Sequence, residues 1–181
     1  ESGHVIVVRW TGFDLTAADL SALWHLDEAR TAGQLDQVLS RVGVPSWNFV
    51  FADTSGNIGY RVVGRLPRRD WRNPGTMEIV APQDLVAWPV LTPDEAPHLF
   101  NPQRGWIATA NQLQWGRDGK YSVGSNHTES FRGFRIEELL KAGLREKHSV
   151  ETFQHIQCDQ QAVDARFLLP VLLPRLPKND I

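Results

Sequence analysis

Residues 47–67 read WNFVFADTSGNIGYRVVGRLP, and no other stretch restricts the fold as much. Two apolar runs flank Asp53, Thr54, Ser55, Gly56 and Asn57, a segment made of turn residues throughout. Turn formers between two such runs give an antiparallel β-hairpin, because Gly and Asn accept the left-handed backbone that closes it. Gly64 and Pro67 close the second strand.

The chain before this hairpin is mostly helical. Residues 4–10 (HVIVVRW) are β-branched and apolar and predict a strand. Residues 15–30 follow as a helix with Thr16 at the N-cap, Asp19 at N3, and Leu20, Leu23, Trp24 and Asp27 on one face. Residues 31–43 repeat the logic. Thr31 and Gln34 suit a capping box, Leu35, Val38, Leu39 and Val42 form the stripe, and Gly43 ends it.

Beyond the hairpin, Pro67, Pro74, Pro82, Pro89, Pro93, Pro97 and Pro102 exclude long helices and central strands. The apolar residues between them predict an ordered excursion along the surface rather than a linker. Residues 105–110 (GWIATA) read as a short strand, and 114–130 as a Gly-rich loop. Residues 132–143 predict a helix stopped by Gly143, and 149–169 a longer helix capped by Ser149 that runs into Pro170 and Pro174. Phe153, Ile156, Gln157, Gln160 and Val163 trace one side of it. The fold class is α+β with an antiparallel pair in the middle, and residues 1–181 form a single region.

Composition narrows the function. At 181 residues and 41% hydrophobic the chain is one domain or part of one, with a net charge of −2. That balance argues against a nucleic-acid or membrane-surface partner, and no apolar run reaches the ~20 residues of a membrane span. Arg65, Arg68, Arg69 and Arg72 read as a solvated turn. Six histidines lack His-x-x-x-His spacing, and the single cysteine, Cys158, pairs with none of them, so a transition-metal site is not expected. Cys158 falls inside a predicted helix and reads as a small buried residue. No phosphate loop, Gly-x-Gly-x-x-Gly or Gly-x-Ser-x-Gly occurs, and Asn126-His127-Thr128 matches a glycosylation sequon. Seven tryptophans without periodicity add core and interface mass, or line an apolar or sugar-binding cleft.

Asn111 ends the 105–110 strand with a carboxamide and is followed by Gln112. Such a side chain donates two N–H bonds without carrying charge. Facing a developing oxyanion in a shielded site, one donor is worth on the order of 3 kcal/mol. On residue chemistry alone, the commoner use of such an Asn at a strand end is to satisfy loop backbone groups. Arg135, beside Ile136, Leu139 and Leu140, is either solvated or paired.

Two motifs carry a resemblance. Asn48, Ala52, Asp53, Gly56, Asn57, Ile58, Gly59, Tyr60, Gly64 and Pro67 fit one segment of the penicillin acylase family, and FNPQRGWIATANQ (100–112) resembles its Asn-Pro-x-x-Gly-x-Ile-Ala-x-x-Asn-Asn. FRGFRIEELL (131–140) and IQCDQQAVDARFLLPVL (156–172) resemble the helices that follow in the family, and VVRW (7–10) with the helical pair after it suits the family too, so the resemblance covers essentially the whole chain. It implies a partial αββα core of an N-terminal-nucleophile amidohydrolase, with an N-terminal Ser attacking a linear amide and its own α-amino group as base. It implies Asn111 as an oxyanion-hole donor and Arg135 as the residue that positions it, with Gln112 a departure from the family's second Asn. It further implies an internal fragment of the β subunit that is inert alone, since Ser2 lacks the context of the nucleophile. Remaining acylase segments and a small N-acyl substrate are the expected partners, with a homodimer of the fragment covering exposed apolar surface. A structural Ca²⁺ is implied for the parent, but Asp118 is the only acid in residues 114–125 and no ligand is assigned. The resemblance also implies a periplasmic or secreted parent. The competing reading is a Trp-rich binding module for a small molecule or carbohydrate, without catalysis.

Overall fold

The structure is a computed structural model that describes residues 10–69, 89–113, 120–123, 131–143 and 147–177. The strand expected before Trp10, Ser2, most of the 114–130 loop with Asp118 and the sequon, and the middle of the Pro-rich span lie outside these residues. The chain divides into two compact units, Glu1–Ile107 with Gln114–Asn126, and Ala108–Leu113 with His127–Ile181.

In the first unit the hairpin forms as its turn chemistry dictates. Strand β1 (Asn48–Ala52) pairs antiparallel with β2 (Ile58–Val62), Asn48 opposite Val62 and Ala52 opposite Ile58. The Asp53 carboxylate organises the turn. One oxygen accepts from the backbone N–H of Ser55 and of Asn57, both at 3.0 Å, and the other reaches the Ala32 N–H at 3.0 Å. These bonds favour the ionised form and hold the Asp53 carboxyl down to about 2. Gly56 takes φ 87°, a conformation that disfavours side chains.

A third strand, β3 (His98–Phe100), extends the sheet on the far side of β2. It lies between Pro97 and Pro102, is three residues long and sits at the sheet edge, where prolines cost no central ladder bond. Asn101 ties it to the hairpin turn. Its Oδ1 accepts from the Ile58 N–H at 2.9 Å and its Nδ2 donates to Asn57 Oδ1 at 2.8 Å.

Two helices pack on this hairpin, α1 (Ala17–Trp24) and α2 (Ala32–Leu39). Helix α2 follows its sequence pattern, with Leu39 and Val42 buried and Leu35 partly buried against Phe51 and Val63. Helix α1 does not. It buries Asp19 and Ala22, while Leu20 and Trp24 face solvent, Trp24 at 81% exposure. The cause is an ion pair. Asp19 accepts from Arg65 Nη2 at 2.8 Å and from the Thr16 N–H and hydroxyl, which turns that face inward. A Cβ on Gly43 would overlap the Asp19 carboxylate and the Arg65 guanidinium, so a side chain there would displace the pair.

Two members of the arginine cluster are paired rather than solvated, while Arg72 lies outside the described residues. Arg65 pairs with Asp19, and Arg68 pairs with Glu95 at 2.6 Å. Arg61 on β2 is also buried and forks onto both oxygens of Asp36 at 2.7 and 2.8 Å, with a third bond to the Pro93 carbonyl. A planar fork on a carboxylate satisfies a buried guanidinium that would otherwise be costly.

The second unit is helical, with α3 (Phe131–Gly143), α4 (Val150–Gln157) and α5 (Val163–Leu172). Ser149 caps α4 reciprocally with Thr152. The single helix expected over 149–169 is broken at Cys158–Ala162. Asp159 Oδ1 accepts from the Gln161 N–H at 3.2 Å, a local turn that competes with the helical ladder. Cys158 is consequently exposed rather than buried. Helix α5 continues through Pro170 and leaves Phe167, Leu168, Leu169, Val171 and Leu172 exposed. No helix among the described residues is long and apolar enough to cross a membrane.

Candidate functional site

Residues 105–110 form no strand. They run as irregular backbone into a bend at Ala110–Gln112. Asn111 takes φ 64°, a left-handed conformation that Asn tolerates better than most residues. Non-glycine residues held there recur at functional sites.

Arg132, the second residue of α3, fixes this turn. Its Nη2 donates to the Ala110 carbonyl and to Asn111 Oδ1, both at 2.9 Å. A cation in the first turn of a helix meets the positive end of the dipole and needs acceptors elsewhere, and the Ala110–Asn111 turn supplies two. Because guanidinium only donates, the contact fixes which end of the carboxamide faces it. Oδ1 turns to Arg132, and Nδ2 with its two N–H bonds turns away.

On the other flank, Gln112 Oε1 accepts from the Ala110 N–H at 2.5 Å. Its carboxamide lies against Gly133, where an added Cβ would sit 3.2 Å from Gln112 Cδ.

The family resemblance implies Arg135 as the residue that positions Asn111, but the guanidinium that reaches Asn111 is Arg132. Arg135 forks onto Asp159 at 2.9 and 2.6 Å and gives its third nitrogen to Glu138 at 2.9 Å. Two carboxylates outcompete a neutral amide for a guanidinium. Arg135 holds the carboxyls of Asp159 and Glu138 below their usual range, and Arg166 adds to the effect on Glu138. The signal in the sequence that points to Arg132, three residues before Arg135, is its place in the first turn of the helix, where a cation needs acceptors.

A cleft of about 660 Å³ opens between α3, α4 and the start of α5, with Ile136, Leu139, Ile156 and Val163 along it and Arg132 and Asp159 as polar lining. The described residues that line it include Arg132 but not Asn111, which is itself exposed. No group of three or more His, Cys, Asp or Glu that could hold a metal occurs among the described residues.

The sequence matches the penicillin amidase family profile over residues 1–180. The chain belongs to the penicillin amidase family. It is 28% identical over 139 residues to an acyl-homoserine lactone acylase, QuiP, of Pseudomonas fluorescens (strain Pf0-1), covering 76% of this chain and 17% of that protein. It is 28% identical over 141 residues to a penicillin acylase 2 proenzyme of Pseudomonas sp. (strain SE83), covering 77% and 18%. In structure it is similar to a thermostable penicillin G acylase from Alcaligenes faecalis, with a TM-score of 0.65 and 23% identity over 94% of this chain and 31% of that one. The α+β arrangement is thus that of a penicillin amidase. The chain spans about a sixth of the length of these curated relatives.

Proposed function

We propose that this penicillin amidase chain is part of an amidohydrolase that cleaves the linear amide of N-acyl compounds, and that Asn111 donates an Nδ2–H bond to the tetrahedral oxyanion. The orientation of the carboxamide carries the reading. With Oδ1 engaged by Arg132 at 2.9 Å, the nitrogen is the end presented outward from the turn. A donor fixed before reaction needs no reorganisation as charge develops, which is where such groups gain their effect. Hydrogen bonding of Oδ1 to a cation also polarises the amide, making its N–H the stronger donor.

In this proposal the rest of the acylase supplies the nucleophile, an N-terminal serine with its α-amino group as base, and the walls that exclude water from Asn111. Attack moves the carbonyl π electrons onto oxygen, Asn111 bonds that oxygen, and collapse expels the amine as it takes a proton. The serine ester is then hydrolysed by water over the same oxyanion site. The isolated chain is inert, because an α-amino base works through proximity to its own hydroxyl. Acyl-homoserine lactone acylases and penicillin acylases are the named relatives. A linear amide between an acyl group and an amine is the substrate class common to both, and it is the one proposed here.

The test is Asn111→Ala in the intact, processed acylase. Loss of kcat with KM preserved supports the assignment, and parent-like kcat refutes it. Purified chain 1–181 should release no amine from an N-acyl substrate, and turnover by it refutes the division of labour.

A further inference from the structure

We infer that Gln112 and Gly133 form a lock that positions Asn111, making Gln112 a positioning residue for the reaction; the inference rests on the oxyanion reading of Asn111. The peptide unit before Asn111 is gripped at one end and the residue before it at the other. Arg132 Nη2 holds the Ala110 carbonyl, and Gln112 Oε1 accepts from the Ala110 N–H. Ala110 is buried, so its backbone polar groups need protein partners, and Gln112 provides one from only two residues away. The bond closes a small ring across Ala110, Asn111 and Gln112. That ring, together with the Arg132 contacts, keeps Asn111 in its left-handed conformation at φ 64°.

Gln112 can curl back in this way because α3 leaves space for it. Gly133 is buried, and a Cβ there would lie 3.2 Å from Gln112 Cδ and 3.3 Å from Nε2, tighter than side chains ordinarily sit. Glycine is otherwise a poor choice within a helix. Its neighbour Arg132 is the residue that holds Asn111 Oδ1, so one dipeptide of α3 both receives the Gln112 amide and fixes the Asn111 amide. The grip acts on the backbone of Asn111, and its effect on the reaction is to keep Nδ2 aimed.

Two variants of the intact acylase test this, with Asn111→Ala beside them and rates normalised to titrated active sites. Gln112→Met keeps the length of the side chain but removes the acceptor. Gly133→Ala favours the helix but pushes the Gln112 amide away. Each should lower kcat by roughly 10-fold, on the scale of a small misplacement of a reacting group, while KM stays within about 2-fold. Gln112→Glu, which retains an oxygen at the same reach, should restore much of the rate relative to Gln112→Met. For Gly133→Ala the thermal midpoint should not fall, so stability and rate part company. If Asn111→Ala lowers kcat while Gln112→Met and Gly133→Ala match the parent, the lock is wrong and the oxyanion assignment stands. If the unnormalised rate falls only in step with the titrated sites, or Gln112→Glu rescues nothing, the lock is wrong as well. If Asn111→Ala is itself parent-like, both fall.

Discussion

Arg132 holds Asn111 by its oxygen, at 2.9 Å, and holds the preceding carbonyl with the same nitrogen. A single guanidinium N–H₂ group therefore sets both the backbone and the side chain of the proposed donor.

Arg132→Ala should leave the Asn111 amide free to rotate and swap its ends. In the intact acylase kcat should fall by roughly 10²-fold, the scale of losing one oriented donor, with KM little changed. Arg132→Lys should recover part of the loss, since an ammonium can donate to both oxygens but sits on a shorter, more flexible stem than the rigid guanidinium. Steady-state kinetics on titrated enzyme decide this, and equal kcat in all three proteins would remove Arg132 from the account.

Arg135→Ala should behave differently. Its partners are Asp159 and Glu138, and the bidentate contact to Asp159 joins α3 to the turn between α4 and α5. The variant should lower the thermal midpoint while kcat per folded active site drops far less than in Arg132→Ala. A larger loss of kcat than in Arg132→Ala would return the positioning role to Arg135.

Asp53 makes a pH prediction. Its ordinary value is 3.8, and the folded value is lowered to about 2 by bonds from Ala32, Asn57 and Ser55. A depressed carboxyl stabilises the folded state above the unfolded pKa, and that contribution is lost as pH falls through the folded one. The Asp53 share should therefore be complete above about pH 4 and disappear toward pH 2. Urea midpoints of the parent and Asp53→Asn should converge over that window. A gap that stays constant from pH 5 to about 2 would contradict the assignment.

Leu39 is fully buried between α2 and the hairpin. Leu39→Ala should cost about 2–5 kcal/mol by removing apolar contacts and leaving a cavity. Urea denaturation checks this, and a loss below about 1 kcal/mol would mean that the site collapses to fill the space.

What the sequence revealed depended on whether the deciding interaction was local. The hairpin was legible because Asp53, Gly56 and Asn57 carry the turn within five residues, and the Thr31 and Ser149 caps for the same reason. The inward face of α1 was not. It depends on Asp19 meeting Arg65 across 46 positions, which no helical period encodes. The break at Asp159 was hidden likewise, because Arg135 and the Gln161 N–H together hold a carboxylate that reads as helical. At the site, Asn111 stood out through its residue type and the family motif. The strand expected before it does not form, and the family motif points to Arg135, whereas the contact to Asn111 comes from Arg132 one turn earlier. Gln112 looked like a mere lengthening of an amide until Gly133 was seen beside it.

The central claim is that the Asn111 carboxamide stabilises the oxyanion, and the direct measurement is kcat of Asn111→Ala in the intact, processed acylase on an N-acyl substrate. The account predicts a fall of roughly 10²- to 10³-fold with KM and self-processing mostly preserved. A kcat within a few-fold of the parent would contradict it.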